Sequence, residues 1–250
     1  MLQITSESHL FGETIVEHGF PTEYDELIGV LGGIEIPLRA AEPFKEGRPA
    51  TPKRQTKVIG GQRAFALFPV DQGSLNQLLQ DRLRDTDWTT EPVATGSPLG
   101  TPADLSLRGD FAKEKVFVEV EFGNSASLFR DLFKFQIASR SGVGEVAVLI
   151  VATGGLAKFF DSGVATFEQA IGLIPYMRIG IQMPVWVIGI GPADWEPVKD
   201  RYDLMYRVAT ENGAVCHPFE RIYGSVLEPA APVIEGEDEV ETSDEVGLSS

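Results

Sequence analysis

The 250-residue chain has one cysteine, Cys216, and only three histidines, His9, His18 and His217. A single thiol excludes a disulfide framework and any multi-cysteine metal centre, and it suits a reducing compartment; a cytoplasmic location is expected. The histidines are too scattered for an imidazole-based metal site. Cys216 and His217 are adjacent, a poor geometry for a nucleophile and its base, and both are read as packing residues. No apolar run reaches the roughly 18 residues of a membrane span. No basic stretch leading into an apolar one opens the chain, so neither a membrane anchor nor a secretory signal is expected. The glycine clusters at 29–33, 154–155 and 189–191 fit neither a dinucleotide fingerprint nor a phosphate-binding loop; Thr153-Gly154-Gly155 is read as a loop beside a ligand crevice.

Positive charge is scarce, with 21 lysines and arginines against 37 acids and a net charge of −16. Taken whole, that balance argues against a polyanionic partner. Its distribution removes the objection. Residues 1–38 hold seven acids and residues 228–250 hold eight, with no lysine or arginine in either segment, so the middle of the chain is close to neutral. Within it, residues 39–63 carry seven bases against two acids, together with Pro43, Pro49 and Pro52. That stretch reads as an extended basic loop. It is either a solvated linker or a phosphate-contacting arm, for which Arg54 and Lys57 are candidates, with salt-dependent binding. The segment 228–250 is too poor in apolar side chains to offset its ordering entropy and is expected to be disordered. A single domain over 1–227 is expected, with a helical acidic part at 1–38 and a core at about 104–190.

Hydrophobic periodicity predicts helices at 22–32, 74–84, 125–140, 166–177 and 196–212. Leu128, Phe129, Leu132, Phe133 and Ile137 form an apolar stripe on the third of these. Strands are expected at 105–111 and 115–122, joined as a hairpin, and at 145–151 and 184–190, whose nearly unbroken apolar runs indicate burial on both faces. Trp186 and Trp195 are read as packing residues. The order indicates an α/β fold, a mixed β-sheet flanked by helices.

The most informative stretch is Val116-Phe117-Val118-Glu119-Val120-Glu121-Phe122. Side chains alternate along a strand, so Glu119 and Glu121 share one face with Phe117. Two like charges in so apolar a strand repel and lose hydration unless a positive charge sits between them. In the hairpin register, Asp110 falls roughly opposite Glu119, so three carboxyl groups converge. A hard divalent cation such as Mg²⁺ is a natural partner. A solvated hairpin face carrying Glu for solubility is the plain alternative.

Asp110, Glu119 and Glu121 at this spacing resemble the active site of type II restriction endonucleases of the BglII/BstYI family, within the PD-(D/E)xK nuclease superfamily. VFVEVEFGNSASLFRDLFKFQIAS (116–139) resembles that family's core strand and following helix, and FFDSGVATFEQA (159–170) also matches; Leu75-Asn76 and Trp88 match more loosely. The resemblance spans roughly 22–190. Two positions depart from the superfamily pattern: Gly109 stands where a proline is usual, and Glu121 stands where a lysine is usual, as in the BamHI-like Glu-x-Glu variant.

The resemblance implies a restriction-endonuclease-like core that acts as a homodimer on double-stranded DNA, with a cognate DNA methyltransferase as its functional partner. Asp110 and Glu119 would bind Mg²⁺. Glu121 would orient or deprotonate the attacking water and touch the metal, and Asn76 is a further catalytic candidate. Hydrolysis would leave a 5′-phosphate and a 3′-hydroxyl. Asn124 and Ser125 would meet DNA at a helix N-terminus, although Asn124 is equally a plain N-cap. Lys134 would contact phosphate, or is simply a surface charge on the helix. Two other classes stay open: a non-catalytic DNA- or partner-binding protein on the same fold, and a glycosidase built on the carboxylate pair. Against the glycosidase, same-face neighbours on one strand lie closer together than residues flanking a sugar bond.

Overall fold

Two short apolar runs rich in β-branched residues form the centre of the molecule. Val146–Ala152 and Val185–Pro192 are buried along their whole length, as strands covered on both faces must be. The structure, a computed structural model, describes residues 1–41, 44–45, 48–49, 55–59, 62–95, 107–160, 163–177 and 182–227. In chain order the elements are β1 (Leu2–His9), α1 (Gly12–Gly19), α2 (Pro21–Gly32), β2 (Phe44–Lys45), β3 (Arg48–Pro49), β4 (Gln55–Ile59), β5 (Gln62–Phe65), α3 (Gln72–Arg84), β6 (Thr89–Thr90) and β7 (Phe111–Lys113). They continue with β8 (Val116–Glu121), α4 (Ser127–Arg140), β9 (Val146–Ala152), α5 (Gly154–Ala157), α6 (Phe167–Leu173) running into a 3₁₀ turn (Ile174–Met177), β10 (Val185–Pro192), α7 (Glu196–Glu211), β11 (Val215–Cys216) and α8 (Phe219–Leu227).

The main sheet has six strands in the order β1-β10-β9-β8-β7-β6. Its middle, β10-β9-β8, is parallel, and β1, β7 and β6 join antiparallel at the two sides. This is the mixed α/β architecture expected from the element order. One face packs Val116, Val118, Phe122, Val148, Ile150 and Trp186 against leucines of α2 and α3 and against Tyr202 of α7. The other packs Phe117, Leu149, Val151 and Val187 against Leu128, Leu132 and Phe135 of α4 and Ala170 of α6. Trp186 is fully buried and stacked on Tyr24 at 5.2 Å, and Trp195 packs on Phe159 and Tyr223.

Several expectations are corrected. Residues 1–38 are not wholly helical: Leu2–His9 is an edge strand, antiparallel to β10. Two helices follow it, and α2 starts at Pro21, where the missing N–H of proline costs no hydrogen bond. The basic stretch 39–63 is not simply a loop. It contains the pair β2–β3 and, with Gln62–Phe65 and β11, a second sheet in the order β11-β5-β4. The first strand of the predicted hairpin is shorter than 105–111: residues 105 and 106 lie outside the described residues, Arg108 makes an isolated bridge with Val93, and the ladder begins at Phe111. On α4, Leu128, Leu132 and Phe135 are buried, whereas Phe129 and Phe133 are 54% and 58% exposed, so the apolar stripe divides between core and surface. At 154–155 the chain opens α5 rather than a free loop, and Glu168 accepts the Gly154 N–H. The tail 228–250 lies outside the described residues. Among the described residues no helix is long and apolar enough to cross a membrane.

Candidate active site

The hairpin register places the acids. Phe111 pairs with Val118 and Lys113 with Val116, which sets Asp110 across from Glu119, as the sequence predicts. The two strands are unequal, however. β7 ends its pairing at Val118, while β8 runs on to Glu121, still paired with β9 through Glu119–Leu149 and Glu121–Val151. Upstream of Phe111 the chain leaves β8 and bonds to residues 91–94 instead: Glu91 N–H donates to the Asp110 carbonyl, Gly109 N–H to Pro92 and Ala94 N–H to Leu107. The last half of β8 would then have an unpaired amide on that side, which burial does not tolerate. Asp110 supplies the partner: its Oδ2 accepts the Val120 N–H at 2.7 Å. A side chain thus replaces a ladder bond and carries the carboxylate to the strand that bears Glu119 and Glu121.

Two glycines give the site its room. A methyl group at Gly109 would overlap the ring of the fully buried Phe117, so neither alanine nor proline fits that position beside this phenylalanine. A methyl at Gly123 would stand 2.7 Å from Glu121 Oε1. Glycine leaves that oxygen free to accept the Gly123 N–H, which bends the Glu121 carboxylate back onto its own backbone.

Helix α4 lies over this end of β8. Lys134 Nζ stands 2.8 Å from Glu119 Oε2 and 2.9 Å from Asp131 Oδ1. The expected phosphate contact or surface charge at Lys134 is therefore corrected: its ammonium is buried among carboxylates. Arg130 reaches Glu121 Oε2 at 3.6 Å and Asp131 Oδ1 at 3.4 Å from a largely exposed position. Burial pushes the Glu119 carboxyl up to about 9, with help from Asp110 and Asp131 and against the pull of Lys134. Burial and then the hydrogen bond with Asp131 bring Glu121 to about 7, and burial also raises Asp110. Burial by itself would lower Lys134, but Glu119 and Asp131 outweigh it and hold the ammonium above the ordinary lysine value.

The other candidate residues lie at different distances from this centre. Asn76 is half-buried on α3, one turn after Gln72, whose amide donates to the Phe122 carbonyl and ties α3 to the end of β8. Asn124 is exposed and Ser125 half-buried in the turn between β8 and α4. Asn124 does not cap α4 itself, since Ala126 holds the cap position; its Oδ1 accepts the Ala126 N–H, and Ser125 N–H donates to the Gly163 carbonyl. Arg54 lies outside the described residues. The backbone of Lys57 runs in β4, and its side chain lies outside the described residues.

Asp131 was not predicted as a site residue, nor Lys134 as the buried cation of the site. A helical signal exists for both: 128, 131, 132, 135 and 138 share one buried face, which an i, i+3 acid–lysine pair can join when the two neutralise each other.

The carboxylates suit a hard cation. Glu119 Oε1 is buried without a hydrogen-bond partner, a costly arrangement unless a cation takes the oxygen, and the donors are all oxygens. Among the described residues no three His, Cys, Asp or Glu side chains stand together as a finished ligand set. That is compatible with Mg²⁺, which keeps several waters and binds through one or two carboxylates plus a substrate phosphate.

The chain is similar to known proteins over most of its length. The family model for restriction endonucleases BglII/BglIII matches residues 4–190. The crystal structure of BglII complexed with a DNA 16-mer superposes with a TM-score of 0.54 at 18% identity, covering 75% of each chain. Free BglII gives 0.51 at 18% identity, covering 78% of this chain and 81% of BglII. A search of the curated proteins found no match. Enzymes of the matched family generally use divalent metal ions. With three quarters of its length inside the family model and its acids gathered at the open end of one strand, the chain belongs to the BglII/BglIII restriction endonuclease family, the type II site-specific deoxyribonucleases.

Proposed function

We propose that the chain is a Mg²⁺-dependent endonuclease of the Glu-x-Glu type. In this reading it works as a homodimer on double-stranded DNA and leaves 5′-phosphate and 3′-hydroxyl ends. The observation that carries the reading is the convergence of Asp110, Glu119 and Glu121 where β8 outlasts β7, with Glu119 Oε1 buried and unpartnered. When bound, Mg²⁺ supplies neutralisation of the scissile phosphate and a more acidic water. Asp110 and Glu119 would hold it, both by carboxylate oxygens. Glu121, brought to about 7 and standing at the more open end of the strand, is suited to take a proton from the water that attacks phosphorus. Asn76, on the helix tied to Phe122 by Gln72, would border the same centre.

Asn124 and Ser125, in the turn that leads into α4, would contact DNA, with Arg54 and Lys57 as phosphate contacts from the basic stretch. A homodimer fits cleavage of both strands at a palindromic site. A cytoplasmic enzyme of this kind needs a DNA methyltransferase of matching specificity to protect the host's own sites. The non-catalytic binding reading has one observation in its favour, since Lys134 already neutralises part of the carboxylate charge. Plasmid cleavage with Mg²⁺ separates the two. Discrete fragments that disappear in Glu119→Gln, with sequenced ends bearing 5′-phosphates, support the nuclease. No cleavage of any unmodified DNA at low salt, across a range of sequences, leaves the binding protein.

A further inference from the structure

The site holds an ammonium in an unexpected place. Position 121, where the superfamily pattern has lysine, is a glutamate, and the buried ammonium comes instead from Lys134, two turns into the helix that follows the strand. The Lys134 side chain is 7% exposed, and its partners Glu119 and Asp131 are 2% and 1% exposed. Burying such a trio seldom adds net stability, because the desolvation cost offsets the attraction, so stability alone gives a poor reason for its presence. The geometry supplies another. Nζ engages Glu119 through Oε2 only, at 2.8 Å, and leaves Oε1 buried without a partner. Asp131, three residues before Lys134 on α4, accepts from the same ammonium at 2.9 Å and from Arg130 at 3.4 Å, so one carboxylate fixes both cations that face the strand.

We propose that Lys134, anchored by Asp131, is a positioning residue that acts through Glu119: it occupies Oε2 and so restricts Glu119 to a one-oxygen ligand. This inference rests on the metal-dependent reading given above and adds ion selectivity to it. Ca²⁺ accepts two-oxygen carboxylate ligation in its larger, flexible shell, whereas Mg²⁺ keeps a compact octahedron filled largely by water. An ammonium on Oε2 therefore disfavours Ca²⁺ more than Mg²⁺.

The test is calorimetric titration of the full-length chain without DNA, using MgCl₂ and CaCl₂ separately, on wild type, Lys134→Met and Asp131→Asn. Removing a positive charge strengthens the binding of both ions, and that common effect cancels in the ratio of their affinities; freeing a second ligand oxygen does not cancel. The Ca²⁺-to-Mg²⁺ affinity ratio is expected to rise about tenfold in Lys134→Met, the lower end of what outer-shell changes do to metal affinity. A smaller rise is expected in Asp131→Asn, where the ammonium remains but loses its charged anchor. An unchanged ratio in folded Lys134→Met overturns the inference and leaves the metal-dependent reading intact. Absence of binding of either ion to wild type overturns the inference as well, while plasmid cleavage with Mg²⁺ decides the metal-dependent reading separately. Should Lys134→Met not fold, the ratio in Asp131→Asn decides in the same way.

Discussion

The two halves of β8 have the same alternating pattern and opposite tasks. Val116–Val118 is paired on both sides, by β7 and by β9, and its residues are fully buried. Glu119–Glu121 is paired on one side only, and there a carboxylate, a glycine amide and an ammonium take the place of a neighbouring strand. Where the ladder is complete the strand contributes cohesion. Where it stops, the released backbone and side-chain positions become available for chemistry, and three raised carboxyl pKa values mark the tension that remains.

The contrast can be tested by substitutions that act on one half at a time. The largest effect is expected from Glu119→Gln, which should lower cleavage by on the order of 10³-fold or more through loss of the proposed metal ligand. It also leaves the Lys134 ammonium buried beside a neutral amide, so a lower melting temperature is expected as well. Cleavage rates and thermal melts of one preparation check both halves of that statement.

Next is Phe117→Ala in the paired half, expected to cost about 3–5 kcal/mol in denaturant unfolding as a buried aromatic lost from the core. A cost near that of a surface change would show that the first half does not carry the cohesion assigned to it. Gly109→Ala should cost about 1–3 kcal/mol through overlap with the Phe117 ring. In the double variant with Phe117→Ala the two costs should be less than additive, and additivity would refute the steric account.

The same half of the strand can also be probed by pH. Glu121 and Glu119 have folded pKa values raised to about 7 and about 9, above the unfolded value near 4.5. Their contribution to stability is therefore complete below about pH 4.5 and is lost as pH rises through 7 and then 9. Metal-free protein should melt at a lower temperature at pH 9 than at pH 6, and Glu119→Gln should flatten the upper part of that slope. A melting temperature that does not change between pH 6 and 9 would contradict the buried-carboxyl account.

Much of this was legible in the sequence because it follows from local periodicity. Val146–Ala152 and Val185–Pro192 read as buried strands, and the turn near Glu114 and Lys115 set Asp110 across from Glu119. What was illegible depends on partners distant in the chain. Leu2–His9 alternates only weakly in sequence because it is an edge strand with half-buried serines and an exposed threonine, and its identity comes from β10, far along the chain. Phe129 and Phe133 looked like core by composition, but the face of α4 that meets the sheet is fixed by Leu128, Leu132 and Phe135. Asp131 and Lys134 were hidden for the opposite reason: charged side chains on a helix read as solvent-facing until something shows that they neutralise each other and a strand carboxylate.

The two-residue turn at Glu114 and Lys115, with Glu114 at a left-handed φ of 49°, carries a consequence beyond joining two strands. It acts as a ruler. Lys113, Ala112 and Phe111 are matched against Val116, Phe117 and Val118, so the eight residues between Asp110 and Glu119 are a length measured out by that ladder and its turn. A single residue inserted at the tip would change no charge and touch no ligand. Where the turn keeps its two residues, the insertion would shift the register by one, turn each side chain of one strand to the other face relative to its partner, and separate the acids. The turn lends no side chain to the candidate site, and its length nevertheless sets which residues of the two strands face each other.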